Sequence, residues 1–385
     1  MNKILVLIQL NGGNDGLNTV IPLSIYGEYA QARGSLAIPE KKALKLVDGI
    51  GLHPSLAGLQ SLYYNGQLGI IQNVGVENPD FSHFRAGDIW NSASDSNQFL
   101  TSGWLGRALE LVPAGADPRG LRIGTVPSLA FQGVASTPAI TIRDTDSFYD
   151  FLEDTGWGSP GEAMGRLSHI RQVRSLTETY TQRVKAAADL VDMQKEYPDT
   201  ALAAQLKIVA RLISGGLQTQ VYMVTMNGFD THAGQVNSGD ATTGVHAYLL
   251  KELSEAIAAF MADLEFLGVA DRVVGMTYSE FGRAVRSNGS FGTDHGHGAP
   301  LFYFGRSINQ NRILGNTPDL SRDVVPIEYD FRRVYASMLG WIGSDVPKVL
   351  FREFEALPII GQPEQDTIIE ITGDIAPGRY KLVRI

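Results

Sequence analysis

Ile4-Leu5-Val6-Leu7-Ile8, running into Asn11-Gly12-Gly13-Asn14-Asp15-Gly16, is the stretch that decides the fold. A continuous apolar run belongs to a strand covered on both faces, and a glycine-rich polar turn is how strands of an α/β layer end. The same rhythm recurs downstream. Leu68 to Val74 leads into a polar loop with Ser82 and His83, and Gln220 to Met226 into Asn227-Gly228-Phe229-Asp230-Thr231-His232. Arg272 to Tyr278 ends in Ser279-Glu280-Phe281-Gly282-Arg283, and the strand Leu301 to Phe304 follows Thr293-Asp294-His295-Gly296-His297-Gly298.

Helical patterns fill the intervals. Between Val245 and Leu267, residues Leu249, Leu250, Leu253, Ile257, Phe260, Met261 and Leu264 share one 3.6-period face, as a crossover helix between parallel strands requires. Pro54 to Tyr64 and Asp330 to Gly343 also read as helical. From about 145 to 215 the pattern is helical and charged with no strand, so a helical insertion is expected there. Ile368 to Thr372 and Tyr380 to Val383 have the composition of an edge hairpin. The expectation is one α/β domain over 1–385, with a mostly parallel central sheet, helices on both faces and this insertion.

Composition narrows the function. The 385 residues are 44% hydrophobic and 19% charged, enough to bury a core. Against 41 Asp and Glu stand 32 Lys and Arg, a net charge of −9, the wrong sign for a partner such as nucleic acid or an anionic membrane. With no cysteine, disulfides, thiolate zinc sites and iron–sulfur clusters are excluded, and any metal must be held by His, Asp, Glu or Asn. No run approaches the roughly 20 apolar residues of a membrane span. The seven-residue apolar run after Lys3 is too short for a signal segment.

Ligands of parallel sheets collect beyond the carboxyl ends of the strands. The residues there are Asp15, Ser82 with His83, Asp230 with His232, Glu280 with Arg283, and Asp294 with His295 and His297. Four of the seven histidines are among them. Imidazoles gathered with carboxylates suit a hard-to-borderline divalent ion such as zinc, calcium or manganese. Each residue also has a plainer reading. Asp15 can form a turn, Ser82 can cap the helix begun by His83, and Glu280 can pair with Arg283 on a surface. Arg283 and Arg286 can instead grip an oxyanion. The phosphate-loop, H-E-x-x-H, G-x-S-x-G and G-x-G-x-x-G signatures are all missing.

Six ordered motifs carry a family resemblance: Asn11-Gly12-Gly13-Asn14-Asp15-Gly16-Leu17-Asn18, Phe81-Ser82-His83-Phe84, Gly103-Trp104-Leu105-Gly106-Arg107, Gly228-Phe229-Asp230-Thr231-His232, Ser279-Glu280-Phe281-Gly282-Arg283 and Asp294-His295-Gly296-His297-Gly298. Over residues 4 to about 345 the chain resembles the bacterial family known as domain of unknown function 1501, itself similar to the alkaline phosphatase and sulfatase superfamily. The resemblance implies an alkaline-phosphatase-like sheet and metal-assisted hydrolysis of a small anionic phosphate or sulfate ester. By the same resemblance Asp15, Asp230, His232, Glu280, Asp294, His295 and His297 are metal-ligand candidates. Ser82 is implied as the nucleophile and Arg283 as the group that steadies developing charge, with an imidazole, His83 among the candidates, moving the proton. In one registration Phe281 stands where the superfamily places a histidine, which points to one metal ion rather than two; in the other, Asp294-His295-Gly296 itself matches the superfamily's Asp-His-Gly motif. Family members commonly carry a twin-arginine leader, so a periplasmic location is implied if a leader has been removed and a cytoplasmic one otherwise. Two further readings remain: a binding or assembly protein without turnover on the same fold, and a metal-free serine hydrolase.

Overall fold

The computed structural model describes residues 2–143, 180 and 182–361, apart from Asp48, Ala114, Gln310 and Asn311. The strands are β1 (Ile4–Asn11), β2 (Val20–Pro22), β3 (Leu44–Val47), β4 (Ile50–Leu52), β5 (Leu68–Gly75), β6 (Gly120–Ile123), β7 (Ala139–Ile142), β8 (Val221–Asn227), β9 (Val273–Tyr278), β10 (Ala299–Gly305), β11 (Ile313–Leu314) and β12 (Tyr329–Asp330). Nine of them form one sheet in the order β11-β5-β10-β9-β1-β8-β6-β7, with β12 also paired to β5. Every pairing among these nine is parallel except those of β10, which runs antiparallel to both β5 and β9. A small antiparallel sheet, β2-β4-β3, stands apart.

The first strand explains the layering. Ile4, Val6, Ile8 and Leu10 point into one apolar cluster and Leu5 and Leu7 into another, so alternate side chains of one strand feed both faces. The first cluster is closed by α3 (Ala57–Tyr64), α6 (Ala201–Ser214) and α7 (Val245–Phe266). The second is closed by α4 (His83–Ser92), α5 (Trp104–Glu110), α8 (Phe331–Trp341) and α9 (Val346–Leu350). Two short helices, α1 (Gly16–Thr19) and α2 (Tyr26–Arg33), follow β1. The expected crossover is present: α7 carries the chain from β8 to β9, the two strands that flank β1. No helix among the described residues is long and apolar enough to cross a membrane.

Several expectations change here. About half of the span 145–215 lies outside the described residues, and its last part, α6, is a layer of the main core: Leu202, Leu206, Val209 and Ile213 are fully buried beneath the sheet. The strands β6 and β7 were not expected, because each has only four residues, with Arg122 interrupting β6, and so carries too little apolar pattern. The hairpin expected at 368–383 lies outside the described residues.

Candidate metal centre

The turns after β1, β8 and β9 meet at the carboxyl ends of their strands, and backbone contact holds them together. Gly12 (φ +122°) lies so close to the next turn that a Cβ would come 2.4 Å from the Asp230 nitrogen. Gly13 (φ +78°) would place one 2.5 Å from the Phe281 ring. Only glycine meets both demands. Ser279 Oγ donates to the Leu10 carbonyl at 2.6 Å and accepts from the Asn14 N–H at 2.9 Å.

Onto this frame converge His83 at the start of α4, Asp230 and His232 after β8, and His295 on the strap before β10. His83 Nε2 lies 3.4 Å from Asp230 Oδ2. His232 Nε2 is 3.2 Å and His295 Nε2 3.5 Å from Asp230 Oδ1. Ligand atoms of His83, Asp230 and His295 all fall within 4.8 Å of one another. The Phe281 ring packs against His83 and His295, at 4.9 and 4.6 Å between centroids, and walls one side with apolar surface.

The other ring nitrogens fix how the imidazoles face. His295 Nδ1–H donates to the Phe81 carbonyl at 2.7 Å, an oxygen that can only accept. His83 Nδ1–H donates to Glu280 Oε1 at 2.8 Å, which also accepts the Gly12 N–H. His232 Nδ1–H donates to Asp294 Oδ1 at 3.3 Å. These partners set all three tautomers and leave each Nε2 as the inward atom. Two consequences test the fit to a cation. The buried His83 Nε2 has no hydrogen-bond partner. His232 and His295 bring their Nε2 atoms to 2.8 Å, where two lone pairs would repel unless a proton or a metal cation lay between them. The imidazoles of His83 and His295 with the Asp230 carboxylate, each imidazole anchored from behind, make a donor set suited to a borderline divalent ion, and the His232 imidazole stands beside it against Asp230 and His295.

The electrostatics agree. Burial pushes Asp230 up, but the Arg283 hydrogen bond and charge, aided by His83 and His232, outweigh it and hold the carboxyl below its usual range. Burial also holds His295 below the ordinary histidine value, with the Phe81 carbonyl partly offsetting it and the Arg283 charge adding to it. Asp294 is kept low chiefly by the Asn288 hydrogen bond. Both carboxylates are therefore charged, and His295 is neutral, at neutral pH.

A family model described as protein of unknown function (DUF1501) matches residues 2–359. The chain belongs to the DUF1501 family. No curated protein matches it. Among solved structures, this DUF1501 protein is similar to an alkaline phosphatase superfamily protein from Vibrio parahaemolyticus, at 10% identity and TM-score 0.43 over 91% of this chain and 69% of that one. It is similar to the C-terminal periplasmic domain of EcEptC from Escherichia coli in complex with Zn, at 11% identity and TM-score 0.42 over 95% and 92%. A phosphonate monoester hydrolase from Silicibacter pomeroyi matches at 8% identity and TM-score 0.43 over 92% and 78%. At this level of likeness the chemistry is decided by the chain's own residues.

Those residues divide more sharply in the DUF1501 structure than in the sequence. His83, Asp230, His232 and His295 converge. Glu280 and Asp294 stand behind, each holding an imidazole. Asp15 is elsewhere: fully buried, it pairs with Arg33, accepts from Gln235 at 2.5 Å and from the Asn18 N–H, and caps α1. His297 turns away, its Nε2–H donating to the Val76 carbonyl at 2.6 Å. Arg283 is not an oxyanion clamp. Its side chain is 0% exposed and donates to the Gly12, Gly13, Phe229 and Thr293 carbonyls and to Asp230 Oδ1, tying the turns together and aiming the half-open carboxylate. The Ser82 hydroxyl makes no cap bond to α4 and none to a histidine, so a serine–histidine pair finds no support among the described contacts. Sequence reasoning missed Asn288, whose amide donates to the His232 carbonyl and to Asp294; its polar loop reads only as a turn.

Proposed function

We propose that this protein is a metal-dependent hydrolase of phosphate or sulfate esters, built around one ion held by His83, Asp230, His232 and His295. The observation that carries this reading is the common orientation of the three imidazoles, each tied at Nδ1 to an acceptor and each offering Nε2 to the same carboxylate. A divalent ion bound there would polarise an ester oxygen and lower the pKa of a nearby hydroxyl. The chain's own residues do the rest. Ser82 is the nucleophile in this reading, because its exposed hydroxyl is not taken up by the helix it begins and its neighbours on both sides belong to the site: the Phe81 carbonyl holds His295, and His83 is a ligand. The first N–H groups of the ten-residue α4 face the same end, where an anionic group is favoured. Arg283 keeps Asp230 ionised and in place.

Elemental analysis of protein purified without chelator or affinity-tag metal tests the reading. About one equivalent of zinc or manganese, lost in the double variant Asp230→Ala, His295→Ala, supports it and sets up a screen of phosphate and sulfate esters. No uptake even from excess ion overturns it. Binding without turnover is the second reading, favoured by the burial of Arg283, which leaves that guanidinium unable to reach a substrate. Metal uptake with no hydrolysis across the ester panel would put it first.

A further inference from the structure

The segment 76–83 and the strap 295–297 are stitched together twice. His295 donates to the Phe81 carbonyl on the side of the metal centre, and two residues later His297 donates to the Val76 carbonyl on the other side. Beyond this second stitch, at the same end of the sheet where β5 finishes and β10 begins, lies an open depression of about 400 Å³. Its walls include Asn78, His297, Arg322, Val324, Pro326 and Ile327. The Gly298 N–H donates to the Val325 carbonyl at 2.9 Å, and Gly75 packs directly on Ile327, so the wall is fixed to both the strap and the sheet.

We propose that this depression is a subsite for the organic group of the ester, and that the substrate is the ester of a ring-bearing alcohol rather than of a small one. The inference rests on the hydrolase reading above. The volume lies within the range of ligand pockets, roughly 300–1,000 Å³. The apolar side chains of Val324, Pro326 and Ile327 offer a surface for a flat ring, and guanidinium groups stack on such rings. Arg322 is suited to that role, because its side chain is 70% exposed and, among the described residues, is tethered only by an exposed ion pair, its Nε 3.7 Å from Asp319. Asp319 pairs with Arg322 and Glu77 is also on the wall, which disfavours a second dianionic group here. A substrate spanning the stitch would thus place its acidic group at the imidazoles and its ring against Val324.

Binding of phenylphosphonate and methylphosphonate to zinc-loaded protein, followed by calorimetry, tests the subsite without needing turnover. Phenylphosphonate is expected to bind at least tenfold tighter. Val324→Trp, which fills the depression, should erase that difference while leaving methylphosphonate affinity unchanged, the unchanged value also showing that the variant is folded. Arg322→Ala, on an exposed side chain, should narrow the difference about threefold or more. Equal affinities in the unmodified protein, or binding of neither probe by protein that holds zinc, would overturn the subsite and leave the metal centre standing. Failure to take up zinc at all would overturn the hydrolase reading, and the subsite with it.

Discussion

Glu280 stands behind the His83 imidazole rather than at the centre itself. It is 4% exposed, and its Oε1 accepts from both the Gly12 N–H and His83 Nδ1, so it aims the His83 imidazole from behind rather than lining the centre. Partners of this kind typically affect metal affinity by about 10–100-fold. Glu280→Gln should therefore weaken zinc binding by that order in a competition titration with a chelating dye, with the circular dichroism spectrum unchanged; unaltered affinity would contradict the assignment. Arg283→Ala should act on stability instead. It removes a buried guanidinium that satisfies four backbone carbonyls and Asp230, and a loss of roughly 3 kcal/mol or more in urea unfolding is expected. At this scale the sequence was partly legible. Asp230 with His232 and Asp294 with His295 stood out by their place beyond strand ends, and the structure brings these residues together. Nothing local distinguished Asp15, which is taken by Arg33 and Gln235, from Asp230, which is not, because those partners arrive from distant parts of the chain.

The helices show a different kind of dependence. His246 lies in the first turn of α7 and His53 just before α3, both buried, with rings 6.1 Å apart. Burial is the first cause in each case and pushes His53 down to about 3 and His246 down to about 4, from an ordinary value of 6.5. The unfolded chain takes up these protons below about pH 6.5, whereas the folded chain resists until about pH 4 and below. Stability is thus complete above 6.5 and falls as the pH drops through that window, by up to about 1.4 kcal/mol per pH unit for each histidine. Asp15, held below its ordinary 3.8 by Arg33, His246 and Gln235 against its own burial, adds its loss only at lower pH. Metal-free protein should show a urea midpoint clearly lower at pH 5 than at pH 7; a flat midpoint would rule this out. The long elements were readable because their patterns are strong: β1 as a continuous apolar run, and α7 by its buried stripe. The four-residue strands β6 and β7 were not, since their place depends on β8 offering an edge.

For the molecule as a whole, a ligand that binds only the folded state raises stability by mass action, by about 2.7 kcal/mol at a hundredfold excess over its dissociation constant. Zinc should accordingly raise the melting temperature by several degrees, and the double variant Asp230→Ala, His295→Ala should show no rise. The strand-and-helix rhythm and the family resemblance together gave a mostly parallel, mixed sheet flanked by helices, and the structure has that layout. Which strand would run antiparallel was beyond reading, because the direction of β10 is set by its neighbours and not by composition. One feature of the centre reaches into time as well as energy. Its components are far apart in the chain: His232 and His295 are separated by 63 positions, and His83 and the Glu280 that holds it by 197. The donors meet only when the strands that carry them are in register, after the slow long-range pairings have formed. A metal ion cannot then seed folding; it acts as a latch closed last. Adding zinc should leave the refolding rate almost unchanged and slow unfolding by nearly the whole of its stabilising effect.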